Sequence, residues 1–463
     1  MKLSRKQIQH LYWRVGFGIL PDELEEINGK DLSSIVKSLL KSSEVYAPLT
    51  CEIPEFDGDL KSLSKEERKK LRKVANQKMI ELDLNWIDLM SHSKAILREK
   101  MTFFFHDHFA TRIKNPAQAL ELNNIIRRNA LGDFKKLLSE VSKSPAMIHF
   151  LNNKQNKKSS PNENFAREVL ELFTLGRDNG YTELDIKEAA RAFTGWTTNK
   201  GLQFTFNQKV HDSGSKTFLG EIGNFDGNDI LNIITKQEQT ALYITEKLCK
   251  FLVGDEFSKK NARQISKEFY QSNYSLSILV ETILLHNDFF ASHNMGTRIK
   301  TPTELIVGMN RLFDIEYKSP KAVLQIQRKL NQVLFFPPDV SGWQEGREWI
   351  DSSTLMFRMK LPSLLLNFGV IEWRDDSELS ENMVIKIKKG KSKVQEQVKK
   401  KVQAYPNWEC FNQVISSQEE RLTEFLLQGE ISSGAQKMIA ETNNQDTKYR
   451  VIAIMSTPEY QLC

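Results

Sequence analysis

Apolar residues recur at three- and four-residue spacings along most of the chain, the signature of helices with one buried face. The pattern predicts helices over 22–41, 64–90, 94–110, 119–131 and 133–142. It predicts more over 237–254, 260–269, 275–289 and 302–314, and a last group over 320–334, 352–367, 417–426, 432–441 and 446–457. One start is well marked: Ser160 can cap, Pro161 suits a first turn and Glu163 follows three residues after the cap, so a helix is expected over 161–175 with Gly176 as its stop. The next helix begins at Thr182, with Asp185 at the reciprocal capping position, and ends at Gly195. The helical period then lapses over 196–230, where Gln203 to Val210 reads as a short strand or hairpin arm and His211 to Asp229 as loop.

No fixed repeat period is present, which argues against a solenoid. The pattern therefore predicts a mainly α, multi-helix globular protein with a small irregular or β-containing central insert. Five regions are expected: 1–195, an N-terminal helical region; 196–235, the irregular insert; 236–375, a second helical region with an aromatic turn; 376–404, a lysine-rich insertion; and 405–463, a C-terminal helical region packed on the main body.

With 463 residues, 40% of them hydrophobic, the chain can bury a large core, and this composition excludes wholesale disorder and collagen-like repetition. Four cysteines, at 51, 249, 410 and 463, form no CxxC pair, so neither a structural zinc site nor a disulfide scaffold is expected. The net charge of +6 has a location. Eight lysines face one glutamate between Lys386 and Lys401, and seven basic residues face two acidic ones over 61–73. The rest of the chain is net acidic, and with no reading helix or aromatic nucleic-acid module, nucleic-acid binding ranks last. The basic N-terminus lacks an apolar core and cleavage site, and no segment reaches 18 uncharged apolar residues, so no transmembrane segment is expected. A cytoplasmic location is the expectation, with export if the chain is a processed form.

Several strings carry a family resemblance. The most specific is PNENFAREVLELFTLG at 161–176, followed by YTELDIKEAARAFTGWT at 181–197. REKMTFFFHDHFATR at 98–112, RRNALGDFKKLL at 127–138 and SPAMIHFLNN at 144–153 precede them. HDSGSKTFLG at 211–220, KTPTELIVG at 300–308 and FFPPDVSGWQEGREWIDSSTL at 335–355 follow in order. On these motifs the chain resembles, over nearly its whole length, the large bacterial family catalogued as domain-of-unknown-function family 1800. Many members of that family are exported. The resemblance implies no particular reaction or substrate.

The candidate chemistry starts on 161–175, where Asn164, Glu168 and Glu171 form a polar stripe with Arg167 beside it. Paired carboxylates can hold one cation or divide acid and base roles, and Arg167 can bind an anion. A second cluster is His106-Asp107-His108, with Glu99 seven residues before His106 on the same face. The third is His211-Asp212 in the insert, with Lys216 nearby for an anionic substrate. The leading expectation is a metal-supported enzyme of hydrolase type. In it His106, His108, Glu168 and His211 ligate a divalent transition metal such as zinc, manganese or iron, Glu171 activates water, and Arg167 or Lys216 stabilises developing negative charge. The chain has no HExxH, EF-hand or compact zinc motif, no Gly-x-Ser-x-Gly elbow and no phosphate-binding glycine loop. The alternative expectation is a noncatalytic assembly factor whose central loop and Trp343/Trp349 region meet a peptide, glycan or protein partner.

Overall fold

The computed structural model describes residues 1–54, 63–199, 201, 203–367, 371–373, 400–402, 404–415 and 421–463. Most of the lysine-rich insertion, residues 376–399 and 403, lies outside the described residues. The chain is mainly helical, and one hydrophobic cluster draws on residues from Leu3 to Tyr460. Among the described residues, no helix is long and apolar enough to cross a membrane.

The helix Ile96–His108 runs through the middle of this core. Every residue from Ile96 to His106 is buried, and so is His108. Such a helix must satisfy its polar side chains internally. Arg98 donates to the carbonyls of Ser43 and Arg127, both at 2.7 Å. Glu99 accepts two bonds from Arg127, at 2.8 and 2.9 Å, and one from the Trp86 indole at 3.1 Å. Lys100 donates to the carbonyls of Trp13 and Gly16 and pairs with Glu304. The expected Glu99–His106 pairing is therefore absent, because Arg127 claims both carboxylate oxygens.

Other departures from the sequence pattern have local causes. Arg5–Val15 is a helix that buries Gln9, His10 and Arg14 among its apolar residues, so no clean stripe shows in the sequence. The helix expected from Pro161 begins later, at Asn164. Asn156 Oδ1 takes the Asn162 N–H at 2.9 Å and Asn162 Oδ1 takes the Asn164 N–H at 3.1 Å, which holds the approach to the helix in a turn. The helix then widens into a π turn over Val169–Thr174. The Thr182–Asp185 capping box forms as expected and opens the helix Glu183–Ala192.

The insert holds two antiparallel hairpins: Trp196–Thr198 pairs with Phe204–Phe206, and Lys216–Phe218 with Glu221–Gly223. The second lies in the stretch expected to be loop. Its two-residue turn, Leu219-Gly220, has positive φ at both positions, and the Leu219 N–H is anchored on Asp185 Oδ1 at 2.8 Å. The short helix Gly227–Thr235, capped by Asp226, was also hidden within the irregular region.

One buried carboxyl gives a pH dependence. Asp83 is pushed up to about 7 by burial, against the hydrogen bonds from the Gln327 amide. Between the ordinary aspartate range and about 7 the folded chain retains a proton that the unfolded chain has lost. This contribution to stability therefore falls as pH rises through that window. Asp83→Asn is expected to gain stability relative to the wild type between pH ~5 and ~8, measured by urea denaturation at each pH. A wild-type/variant difference independent of pH would contradict it.

Candidate functional site

The structure separates most of the residues that the sequence nominated. His106 accepts the Phe335 N–H at Nε2, 3.1 Å away, and packs among Trp86, Phe335 and Trp343. Burial, and then Arg127, push it down to about 3, so it is a neutral core residue. His211 Nδ1 donates to the Thr194 carbonyl at 2.9 Å, and Asp212 pairs with Arg191 at 2.7 Å. Lys216 donates to the carbonyls of Asp212 and Gly214, at 2.6 and 3.0 Å, which ties the base of the second hairpin.

Glu168, Glu171 and Arg167 do share one polar face, but ion pairs occupy it. Arg167 meets Glu183 at 2.8 Å, Glu171 at 3.2 Å and Glu163 at 3.4 Å, and Glu171 also meets Arg177 at 3.2 Å. Glu168 stays half-buried, raised by burial and by Glu171. Among the described residues, no group of three or more His, Cys, Asp or Glu side chains is arranged to hold a metal ion. His106, His108 and His211 hydrogen-bond instead to the backbone of Phe335, Phe173 and Thr194.

The concave feature of interest is a cavity of about 600 Å³ on the other side of the central helix. Phe103, Phe104, Phe251 and Trp349 give it apolar walls, and Asp107 and His108 line it as well. Of the seven residues nominated for catalysis or metal binding, His108 alone lines it. Charged residues, among them Lys247, Lys250, Glu345 and Arg347, also line it. Aromatic walls with a few polar groups are the usual make-up of a small-molecule site.

His108 is held in one tautomer. Its Nε2 lies 3.1 Å from the Phe173 carbonyl, which can only accept, so Nε2 carries the proton. Nδ1 is then a lone-pair acceptor, buried and without a partner among the described residues. Burial, and then Lys247, hold the imidazole well below its usual range and neutral. The Phe173 carbonyl comes from the π turn, where the Leu172 carbonyl accepts the Tyr243 hydroxyl at 3.1 Å. The end of a helix leaves such carbonyls free. The most family-specific string thus reaches the cavity through its backbone, which anchors His108, and its polar face does not line the cavity.

Asp107 belongs to the His106-Asp107-His108 cluster but has no assigned role in the sequence reading. Its Oδ1 accepts the Trp343 N–H at 2.9 Å, within the turn that Gly342 makes at φ +94°. Burial raises the carboxyl to about 7, while Trp343 and then Lys247 pull it down and Glu345 pushes it up. A carboxyl near neutrality is matched to proton transfer at neutral pH. The sequence signal was an aspartate inside a phenylalanine-rich helix. A β-carbon at Gly342 would sit 2.3 Å from Asp107 Oδ1 on a backbone that disfavours one. Gly342→Ala is expected to displace the Asp107 carboxyl and destabilise the chain by about 1–3 kcal/mol, measured by denaturant unfolding. An unchanged midpoint would contradict this fit.

No curated protein and no solved structure matches the chain. A family model does, over residues 10–462, from the first helix to the final turn and including the cavity-lining segments around Asp107, Lys247, Arg298 and Trp349. With nearly its whole length matched, the chain belongs to the family described as protein of unknown function (DUF1800).

Proposed function

We propose that the chain is an enzyme of hydrolase type whose reaction takes place in the Asp107–His108 cavity. The observation that carries the reading is the Asp107 carboxyl and the adjacent His108, whose Nδ1 lone pair is unused, on the wall of an aromatic cleft; burial there raises the carboxyl. In this reading water adds to the scissile centre as the bond to the leaving group breaks, Asp107 gives its proton to the departing group, and the proton lost by the added water returns to Asp107. His108 Nδ1 accepts a hydrogen bond and orients that water. Phe103, Phe104, Phe251 and Trp349 hold the apolar part of the substrate and keep bulk water out.

The test is a panel of chromogenic esters, phosphoesters, glycosides and peptides assayed with three proteins. The wild type is expected to turn over one class. Thr297→Trp, which fills the cavity from its exposed wall, is expected to lose that activity. The double variant Glu168→Gln/Glu171→Gln, on the ion-paired face, is expected to keep it. The reverse pattern would move the site to the helix face. A chelation arm addresses the metal. Activity that survives chelation supports acid–base chemistry by the protein alone, and loss restored by zinc, manganese or iron supports a metal-assisted form of the same site.

The second reading, a binding or assembly protein, draws on the aromatic walls, Trp349 among them. Stable retention of a peptide or glycan with no turnover by any of the three proteins would favour it.

A further inference from the structure

We infer that the ligand of the cavity carries an oxyanion group, a carboxylate, phosphate or sulfate, on an apolar or aromatic body; this rests on the cavity being the functional site proposed above. The first observation is the charge behind the cavity wall. Arg14, Lys100, Lys300 and Arg358 are fully buried, and Arg298, which lines the cavity, is nearly so. Cys463 acts on Arg14, Lys100, Arg298 and Lys300, and all five feel Glu304. Among the described residues, Glu304 is the one carboxylate that forms an ion pair with any of them, and it pairs only with Lys100 and Arg298.

Carbonyls take Arg14 (Asn294, 2.8 Å), Lys300 (Tyr460, 2.7 Å) and Arg358 (Lys300, 2.9 Å), Arg298 Nη2 also meets the Cys463 sulfur at 3.3 Å, and Lys300 lies over the Trp13 and Tyr460 rings. Buried guanidinium nitrogens are left over. Nε of Arg298, Nε and Nη1 of Arg14, and Nε and Nη2 of Arg358 have no hydrogen-bond partner among the described residues. Buried donors without acceptors are rare and call for an acceptor. An excess of cations in a low-dielectric interior also projects a positive potential into the space beside it. Arg298 and Asn294 form part of the cavity wall, so that space is the cavity.

The cavity lining carries four cations, Lys247, Lys250, Arg298 and Arg347, and four acidic side chains, Asp107, Asp255, Glu256 and Glu345. Lys250 is taken by Glu345 at 2.6 Å and Asp255 at 3.5 Å, which uses two of the acidic side chains there. Lys247 and Arg347 line the cavity with no ion-pair partner among the described residues; Glu256 and Asp107 are the acidic side chains left there, and Asp107, raised to about 7 by burial, feels Lys247. An anionic group that approaches Arg298, Lys247 or Arg347 is attracted and a cationic one repelled, with Glu256 acting the other way. The aromatic walls supply the complement for the apolar body.

The experiment measures affinities of matched small aromatics for the full chain by calorimetry: benzoate and phenyl phosphate, benzamide and benzyl alcohol, and benzylamine. The anions are expected to bind at least about tenfold tighter than the neutral compounds. That preference should weaken in ~0.5 M salt. It should fall below about threefold in Lys247→Ala/Arg347→Ala, a variant at the cavity lining whose thermal midpoint should match the wild type. Neutral or cationic compounds binding as tightly as the anions would overturn the inference, and so would a preference untouched by the double variant. The two proposals fail separately. If anion preference is absent while Thr297→Trp still abolishes turnover, only the ligand assignment falls. If anions bind as expected while turnover is indifferent to Thr297→Trp, only the catalytic assignment falls.

Discussion

Glu304→Gln is expected to lower the free energy of unfolding by about 3–5 kcal/mol. Glu304 closes its own helix start: its Oε2 accepts the Thr301 N–H at 2.8 Å. The same carboxylate meets Arg298 Nη2 at 2.5 Å and Lys100, both removed from bulk solvent. Burial alone would raise its pKa, but Arg298 and Lys100 hold it well below the usual carboxylate range, so it stays ionised. Lys100 shares that carboxylate with Arg298, and burial brings it down to about 8. Glutamine keeps the shape and the capping bond but removes the charge that compensates the buried cations. Losing one partner of a buried pair costs far more than losing an exposed one. The comparison is Glu183→Gln, which breaks the exposed pair with Arg167 and is expected to cost far less. Urea unfolding of both variants decides the matter. Equal, small losses would mean that the buried cations are compensated elsewhere.

Asp107→Asn is expected to reduce turnover by about 10²–10⁴-fold while leaving the fold intact. Asparagine can keep the bond from the Trp343 N–H but cannot supply the proton. With Asp107 acting as the acid, wild-type activity should decline as pH rises through about 7, where the carboxyl ionises. The neighbours give a check on sign. Lys247 holds the carboxyl down and Glu345 pushes it up, so Lys247→Ala should move that limb to higher pH and Glu345→Gln to lower pH. A loss under about threefold in Asp107→Asn, or limbs that move the opposite way, would remove Asp107 from the chemistry.

Most of the helices could be read from the sequence because most bury one face, and periodicity records that. Among those it missed, Arg5–Val15 places His10 and Arg14 inside, and Pro145–Phe150, Gly227–Thr235 and Trp408–Ile415 are too short to show several turns of period. The capping box at Thr182–Asp185 was legible because its chemistry is local. The site was legible only in part. His106-Asp107-His108 stood out as a string, and Trp349 was recognised as a candidate cleft wall. Which of the three polar residues faces a cavity depends on Phe335, Trp343 and Phe173, partners 65 to 236 positions away. The polar face of Glu168 and Glu171 looked catalytic because carboxylates on successive turns are chemically versatile. Arg167 and Arg177 neutralise it, and Arg177 lies outside the stripe. Lys247 and Arg298 lie outside the family strings, and although Arg347 lies within the one at 335–355, only long-range packing brings the three to one cavity.

The central claim is a carboxyl poised near neutrality in the aromatic cleft. It is tested most directly by carbon-13 carboxyl NMR of the full chain, with Asp107→Asn used to assign the resonance. The account expects the Asp107 signal to titrate with a midpoint of about 7, moving up in Lys247→Ala and down in Glu345→Gln. A midpoint in the ordinary aspartate range, below pH ~5 and indifferent to both neighbours, would contradict it.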